Sequence, residues 1–186
     1  MAAMQGVRGR VSHADLERMP DDGRRYELYD GELSVVPAPL PRHQRALLNL
    51  EDILRTYVKA HGGEVLVSPL DIVLSDYNVV QPDLVFFGAA RQHMVKADEA
   101  IRVPPDMAIE ILSPSTTATD RGRKMRLLAR FGLPEYWLVD PVAGSIESYA
   151  LIGSGFELRQ AVSGRGVARS VTFPDLEVPL TEVFPA

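Results

Sequence analysis

Two carboxylates lie inside apolar segments that have the composition of β-strands. Asp83 belongs to VVQPDLVFF (79–87), and Glu110 belongs to MAIEILSPST (107–116). β-branched and aromatic residues continue for a strand's length in both segments, and each segment ends in turn residues. An ionised carboxylate there needs a charged partner, hydrogen bonds or a cation. Either acid could lie on an edge strand or cap a helix, but two acids on neighbouring predicted strands favour a site.

A lysine on the next predicted element could complete this site. Capping residues at TATD (117–120) predict a helix start, and FGLP (131–134) contains the glycine and proline that predict its end. Within this helix Lys124 shares a face with Leu127 and Leu128, so it is expected to point toward the core. The lysine could instead extend to solvent or pair with Asp120, four residues earlier.

Six segments in order give the chain a family resemblance. It resembles the restriction-endonuclease domains of the Uma-two type, in the PD-(D/E)xK nuclease superfamily, over nearly its whole length. The matching segments are YELYDGEL (26–33), PRHQ (41–44), NVVQPDLVFF (78–87), IEILSPST (109–116), DRGRK (120–124) and FGLPEYWLVDP (131–141). The resemblance implies a restriction-endonuclease-like α/β (α+β) fold, with a mixed β-sheet flanked by helices.

The resemblance also implies an activity and its residues. Asp83 corresponds to the first superfamily motif and Glu110 to the second, so both are expected to hold Mg²⁺ or Mn²⁺, together with the Ile111 carbonyl. The superfamily lysine is expected two residues after the glutamate, where this chain has Leu112. Lys124 is therefore the candidate for a migrated catalytic lysine. The expected reaction is metal-dependent hydrolysis of DNA phosphodiester bonds.

A predicted hairpin and a helix add auxiliary candidates. Asp30-Gly31 between YELY and ELSVV predicts a two-residue turn, which sets Glu27 and Glu32 on one face. That face could simply be solvated, but the resemblance makes Glu32 the preferred auxiliary ligand, with Glu27 behind it. His43 opens a helix predicted over about 42–61. It could be a packed residue, and the resemblance makes it a site candidate.

Several arginines could contact a nucleic-acid backbone. Arg123, Arg126 and Arg130 form one stripe on the helix of Lys124, and Arg42 and Arg45 lie near the start of the earlier helix. Each group could equally be a solvated helix face.

The length and the remaining pattern predict one domain over 1–186, which the resemblance implies is restriction-endonuclease-like. Its core covers about 24–141, preceded by a flexible lead (1–10), and a β extension covers about 145–186. The strand around Glu110, the helix of Lys124 and YWLVD (136–140) form a strand–helix–strand unit, which predicts that its two strands are parallel.

Composition excludes several classes of protein. The 186 residues contain 25 acidic and 20 basic side chains, a net charge of −5, so any DNA contact is expected to be confined to patches. The chain has no cysteine, which excludes disulfides and thiolate metal sites. Without a signal peptide or a long apolar run, a cytoplasmic location and no membrane association are expected.

Two other functions compete with DNA cleavage. Leu112 motivates the first, an inactive nuclease fold that acts as a nucleic-acid-binding or protein-binding module. The second is a metal-dependent phosphoesterase with another substrate. By analogy with such nucleases, a homodimer is also expected.

Overall fold

A computed structural model describes residues 9–185, so most of the predicted lead lies outside the described residues. The strands are β1 (Arg25–Tyr29), β2 (Glu32–Val36), β3 (Glu64–Val67), β4 (Ile72–Ser75), β5 (Asn78–Val80), β6 (Leu84–Phe87), β7 (Met107–Ile111), β8 (Glu135–Asp140), β9 (Ser145–Ile152), β10 (Gly155–Ser163), β11 (Val167–Arg169) and β12 (Glu177–Pro179). The helices are α1 (His13–Glu17), α2 (Pro41–His61), α3 (Thr117–Thr119), α4 (Met125–Arg130) and α5 (Leu180–Val183), with a 3₁₀ helix at Gln92–Met94 and a π-helical turn at Asp120–Lys124.

The strands form three sheets, which confirms the expected mixed architecture of sheets flanked by helices. The largest has the order β10-β9-β8-β7-β6-β3, and all its neighbours are antiparallel except the parallel pair β7–β8. A four-stranded antiparallel sheet has the order β2-β1-β5-β4, and β11 pairs with β12. The parallel β7–β8 pair confirms the prediction from the strand–helix–strand pattern.

Helices cover both faces of the six-stranded sheet. Alternate residues of β7, Met107, Ile109 and Ile111, pack in one cluster with Leu50 and Leu54 of α2. The other face of the sheet packs against Leu127 and Leu128 of α4. Because side chains alternate across a strand, Glu110 belongs to the α4 face, where Lys124 also lies.

The segment predicted as one strand over 79–87 is two strands in two sheets, which corrects the prediction. β5 pairs with β4 and β1, whereas β6 pairs with β3 and β7. Pro82 lies at the break and has no backbone N–H for a ladder. Asp83 therefore immediately precedes β6, and its carbonyl accepts a hydrogen bond from the Ser68 N–H at 3.0 Å. It lies where the two sheets meet.

The predicted hairpin is confirmed in detail. Tyr29 pairs with Glu32 and Glu27 with Ser34. Asp30 and Gly31 have φ values of 53° and 83°, the positive values that a tight two-residue hairpin turn requires. Among the described residues, no helix is both long enough and apolar enough to span a membrane.

Candidate active site

Four carboxylates from different elements line one cavity of about 190 Å³: Glu27 of β1, Asp83 before β6, Glu110 of β7 and Asp120 of the π-helical turn. Lys124, His43 and Arg25 line the same cavity. Its wall is completed by the proline-rich segment 36–39 and by hydroxyl groups of Ser113, Ser115, Thr116 and Thr119. The cavity therefore lies where the hairpin, the strand break and the helix start come together.

Lys124 is the central cation of this cluster. Its Nζ lies 2.9 Å from Glu110 Oε1, 2.9 Å from Glu27 Oε1 and 3.6 Å from Asp120 Oδ1. The lysine is 4% exposed, so these ion pairs are shielded from solvent. Both sequence interpretations of Lys124 hold in part: it faces the core side, and it also approaches Asp120.

The helix that carries Lys124 is not the regular α-helix expected from the sequence. Residues Asp120–Lys124 form a π-helical turn between α3 and α4, and Asp120 and Lys124 are the buried residues of this turn. Gly122, a poor helix former, lies within the turn. Single π turns inside helices are often found at functional sites.

Asp83 is held by two donors through one of its oxygens. Its Oδ2 accepts the backbone N–H of Ile111 at 2.8 Å and lies 3.0 Å from His43 Nε2. An ionised carboxylate only accepts hydrogen bonds, so we assign the histidine proton to Nε2. His43 Nδ1 is buried and has no partner among the described residues. The bond to Ile111 joins the first acidic motif to the strand of the second.

Burial and neighbouring charges act on the ionisation of this cluster. Burial raises the pKa of Glu110, and the nearby carboxylates of Asp120, Asp83 and Glu27 raise it further, although Lys124 opposes them. Burial also raises the pKa of Asp120. For Lys124, burial lowers the pKa, but Glu110 and Glu27 outweigh it, so the net shift is upward and the ammonium stays charged. The cavity thus holds more acid than its own cations neutralise.

The two hairpin glutamates have different environments. Glu32 was the preferred auxiliary ligand, but it is Glu27 that lines the cavity. Glu27 is 3% exposed, and besides Lys124 it accepts the Tyr29 hydroxyl at 2.7 Å and the Gln81 N–H at 2.8 Å. Glu32 is exposed and pairs with Arg123 at 3.2 Å, outside the cavity lining. The shared face of the two glutamates was predicted correctly, but the burial of each depends on which elements pack at its end of the hairpin.

The predicted arginine stripe is divided between two roles. Arg123 donates to Glu32 and to Ser34 Oγ, and Arg130 donates to both oxygens of Asp30. These bonds fasten the helix to the hairpin. Arg126 is exposed, as are Arg42 and Arg45 of α2, and within residues 9–185 none of these three forms an ion pair.

Around Glu27, sequence reasoning missed three residues. Arg25 and Tyr29 flank Glu27 by two positions on β1, so the two-residue strand period could have indicated them. Gln81 contacts Glu27 through its backbone, for which no side-chain pattern exists.

Comparison with known proteins identifies the class of this fold. A solved structure described as "a putative nuclease belonging to DUF820", from Anabaena variabilis, superposes with a TM-score of 0.76. The two chains are 19% identical, and the match covers 94% of this chain and 97% of the other. The fold is therefore that of this nuclease-like structure.

The family follows from the sequence itself. The model of the family described as "Uma2: Putative restriction endonuclease" matches residues 13–181, so the chain belongs to this family. An uncharacterised protein of Synechocystis, slr1290, is 28% identical over 127 residues. That match covers 67% of this chain and 65% of the relative, slightly less than two thirds of its length.

Proposed function

We propose that the protein is a metal-dependent endonuclease that hydrolyses DNA phosphodiester bonds. Membership of a restriction-endonuclease family supports a nuclease. The observation that carries the proposal is the position of Lys124, whose Nζ lies 2.9 Å from Glu110 in a cavity that Asp83 also lines. A lysine beside the motif carboxylates is thus present even though Leu112 occupies its usual place in sequence.

The donor atoms of the cavity fit a hard divalent cation. Within residues 9–185, no group of three or more His, Asp or Glu side chains is arranged as a metal site. Mg²⁺ does not require such a group, because it is usually held by one or two carboxylates, waters and substrate phosphates. Asp83 and Glu110, with the Ile111 carbonyl, are the proposed ligands. A cation would also balance the surplus of carboxylates.

Each protein group then has a defined task. When bound, Mg²⁺ or Mn²⁺ polarises the phosphoryl group and lowers the pKa of a coordinated water. His43 and Ile111 hold Asp83 by Oδ2, and no described donor occupies its Oδ1, which leaves that oxygen for a ligand. Lys124 has three N–H donors and uses two in short ion pairs, so the third can orient the attacking water or stabilise the phosphoryl oxygens.

One experiment tests this proposal directly. Purified protein is incubated with supercoiled and linear DNA in Mn²⁺, Mg²⁺ or EDTA, beside Asp83→Ala and the surface control Asp98→Ala. We expect cutting only with metal, its loss in Asp83→Ala and its retention in Asp98→Ala. Cutting that persists in EDTA or in Asp83→Ala would contradict the metal mechanism.

A second candidate is a nuclease-fold protein that binds a nucleic acid or protein without turnover. Leu112, at the position where the superfamily has its lysine, favours it. A folded wild type that neither cuts DNA nor binds Mn²⁺ would select this alternative. The single domain, the homodimer and the cytoplasmic location remain predictions from the sequence.

A further inference from the structure

We propose that Arg25 binds a phosphate group of the nucleic-acid substrate inside the cavity. The inference rests on the proposed nuclease function and identifies the residue that would bring a polyanion next to four carboxylates. Neither the sequence motifs nor the family resemblance pointed to this arginine.

The strand β1 places Arg25 beside the acidic cluster. Arg25, Glu27 and Tyr29 alternate along the strand and share one face, with successive members about 6.5 Å apart along the chain. Arg25 lines the same cavity as Asp83 and Glu110. It is half-buried, whereas Glu27 is almost fully buried, so it lies on the more open side of the group.

The guanidinium of Arg25 is not neutralised by a described carboxylate. Its Nη1 lies 3.4 Å from Ser68 Oγ and its Nη2 lies 3.2 Å from the Pro37 carbonyl, two long bonds to neutral acceptors. Lys124, by contrast, already uses two of its three N–H donors on Glu27 and Glu110, which offset its charge. Arg25 therefore retains its positive charge and several of its five N–H donors for an incoming anion.

A phosphate needs such a partner here. The ionised carboxylates repel it, and Lys124 already offsets part of their charge. The planar guanidinium fork matches two phosphate oxygens and is less strongly hydrated than an ammonium, so it suits a partly enclosed site. Arg25 is the only arginine among the described residues that lines this cavity. Arg42 and Arg45 line a second depression. A third depression is lined by Arg123, Arg126 and Arg130.

The size of the cavity limits the contact to one strand. Its volume of about 190 Å³ is smaller than the roughly 300–1,000 Å³ of typical ligand pockets. A phosphodiester and part of its sugar fit this space, whereas a base pair does not. We therefore assign Arg25 to the phosphate nearest the bond that is cleaved. The exposed arginines lie outside this cavity and could contact only phosphates farther along the strand.

The kinetic test compares neighbouring arginines. Arg25→Gln and Arg24→Gln remove the same charge one residue apart, and Arg24 is an exposed residue paired with Asp22. We expect Arg25→Gln to raise KM about tenfold or more with a much smaller change in kcat, and Arg24→Gln to leave both unchanged. Arg25→Lys should fall between Arg25→Gln and wild type, because it keeps the charge and loses the fork.

A binding test needs no turnover. Anisotropy of a fluorescein-labelled single-stranded oligonucleotide, titrated in EDTA at several salt concentrations, should show weaker binding by Arg25→Gln and a salt slope reduced by about one. Equal behaviour of Arg25→Gln and Arg24→Gln in both tests would overturn the inference. If Arg25→Gln does not fold, the KM of Arg25→Lys is compared with that of Arg24→Lys, because Arg25→Lys loses the guanidinium fork and keeps the charge. Equal KM values for these two variants would overturn the inference.

The two proposals can fail separately. A wild type that binds the oligonucleotide through Arg25 but never cuts would support this inference and overturn hydrolysis. A wild type that cuts, with Arg25→Gln equal to Arg24→Gln, would overturn this inference and leave hydrolysis standing.

Discussion

Two buried glutamates lie on the adjacent parallel strands β7 and β8 but on opposite faces of the six-stranded sheet. Glu110 is 3% exposed and faces the helix of Lys124, and Glu135 is completely buried on the side of the C-terminal segment. Their chemical type and depth are the same. Their surroundings are not.

Glu135 is satisfied entirely by neutral donors. Its oxygens accept bonds from Trp137 Nε1 at 2.7 Å, Ser170 Oγ at 2.6 Å, the Val171 N–H at 3.1 Å and the Thr172 N–H at 3.0 Å. The segment after β11 therefore wraps around this carboxylate. A buried charge with four donors is stable without a cation, and it fastens the C-terminal extension to the core.

Glu110 has the opposite environment. Lys124 is its one described hydrogen-bond donor, and three other carboxylates line the same cavity. The comparison teaches that burial of a carboxylate does not identify a functional site. A surplus of charge beside a cavity does, because a ligand can relieve it.

Removing the cation should give the largest effect. Lys124→Met leaves Glu27, Glu110 and Asp120 buried without their shared partner, so we expect a loss of about 3–5 kcal/mol in the free energy of unfolding and loss of cleavage. Urea denaturation measures the first and plasmid cutting the second. Lys96→Met, at an exposed pair with Glu99, is the control and should change neither. Normal stability of Lys124→Met would show that the cluster is not a tightly coupled unit.

Metal binding should distinguish the two glutamates. Mn²⁺ at 100 times its dissociation constant should stabilise the wild type by about 2.7 kcal/mol, seen as a rise in Tm. The rise should vanish in Asp83→Ala and Glu110→Gln. Glu135→Gln should keep the full rise even if its starting Tm is lower. A rise that survives in Glu110→Gln would exclude Glu110 as a ligand.

The same amide substitution should have opposite consequences at the two positions. In Glu135→Gln, an –NH₂ group replaces a carboxylate oxygen that accepted hydrogen bonds, so two sets of donors face each other. We expect a loss of about 1–3 kcal/mol in the free energy of unfolding and unchanged cleavage by the folded fraction. In Glu110→Gln, Lys124 keeps Glu27 and Asp120, so stability is expected to hold while cleavage falls by about 100-fold or more. Urea denaturation and plasmid cutting on both variants decide this, and similar losses of activity would erase the distinction.

The pH dependence of stability should also distinguish Glu110 from Glu135. The pKa of Glu110 is raised from its usual 4.5 by burial, so the folded state without metal binds more protons than the unfolded state. Its contribution is then fully favourable below pH 4.5 and declines as pH rises toward the folded pKa, by at most about 1.4 kcal/mol per pH unit. In EDTA, Glu110→Gln should show a shallower decline than the wild type or Glu135→Gln. Equal slopes would mean that Glu110 does not carry the effect.

Much of the fold could be predicted because it depends on local pattern. The hairpin turn, the long helix α2 and the parallel β7–β8 pair follow from turn residues, helix-end signals and periodicity. The break at Pro82 was missed, because an apolar run does not reveal that its two halves enter different sheets. The π-helical turn at Asp120–Lys124 also has no distinctive sequence pattern.

Part of the site was also predictable from local sequence pattern. Asp83, Glu110 and Lys124 were selected from the sequence, and the structure brings all three to one cavity. The contact of Glu27 with Lys124 depends on the four-stranded sheet packing beside the six-stranded one, which no local pattern encodes. Sequence alternation could show only that Glu27 and Glu32 share a face.

The hairpin glutamates Glu27 and Glu32 give the prediction with the smallest effect. Glu32→Gln removes one exposed ion pair with Arg123, which keeps its bond to Ser34 Oγ and its position over the Tyr29 ring. We expect a stability change of no more than about 1 kcal/mol and unchanged cleavage, because an exposed pair contributes little. Glu27→Gln, on the same face, should lower cleavage, since Glu27 holds Lys124. If Glu32→Gln instead reduced metal-dependent cutting as much as Glu27→Gln, the exposed end of the hairpin would have to close over the cavity during the reaction, and Glu32 would regain the ligand role that its sequence position suggested.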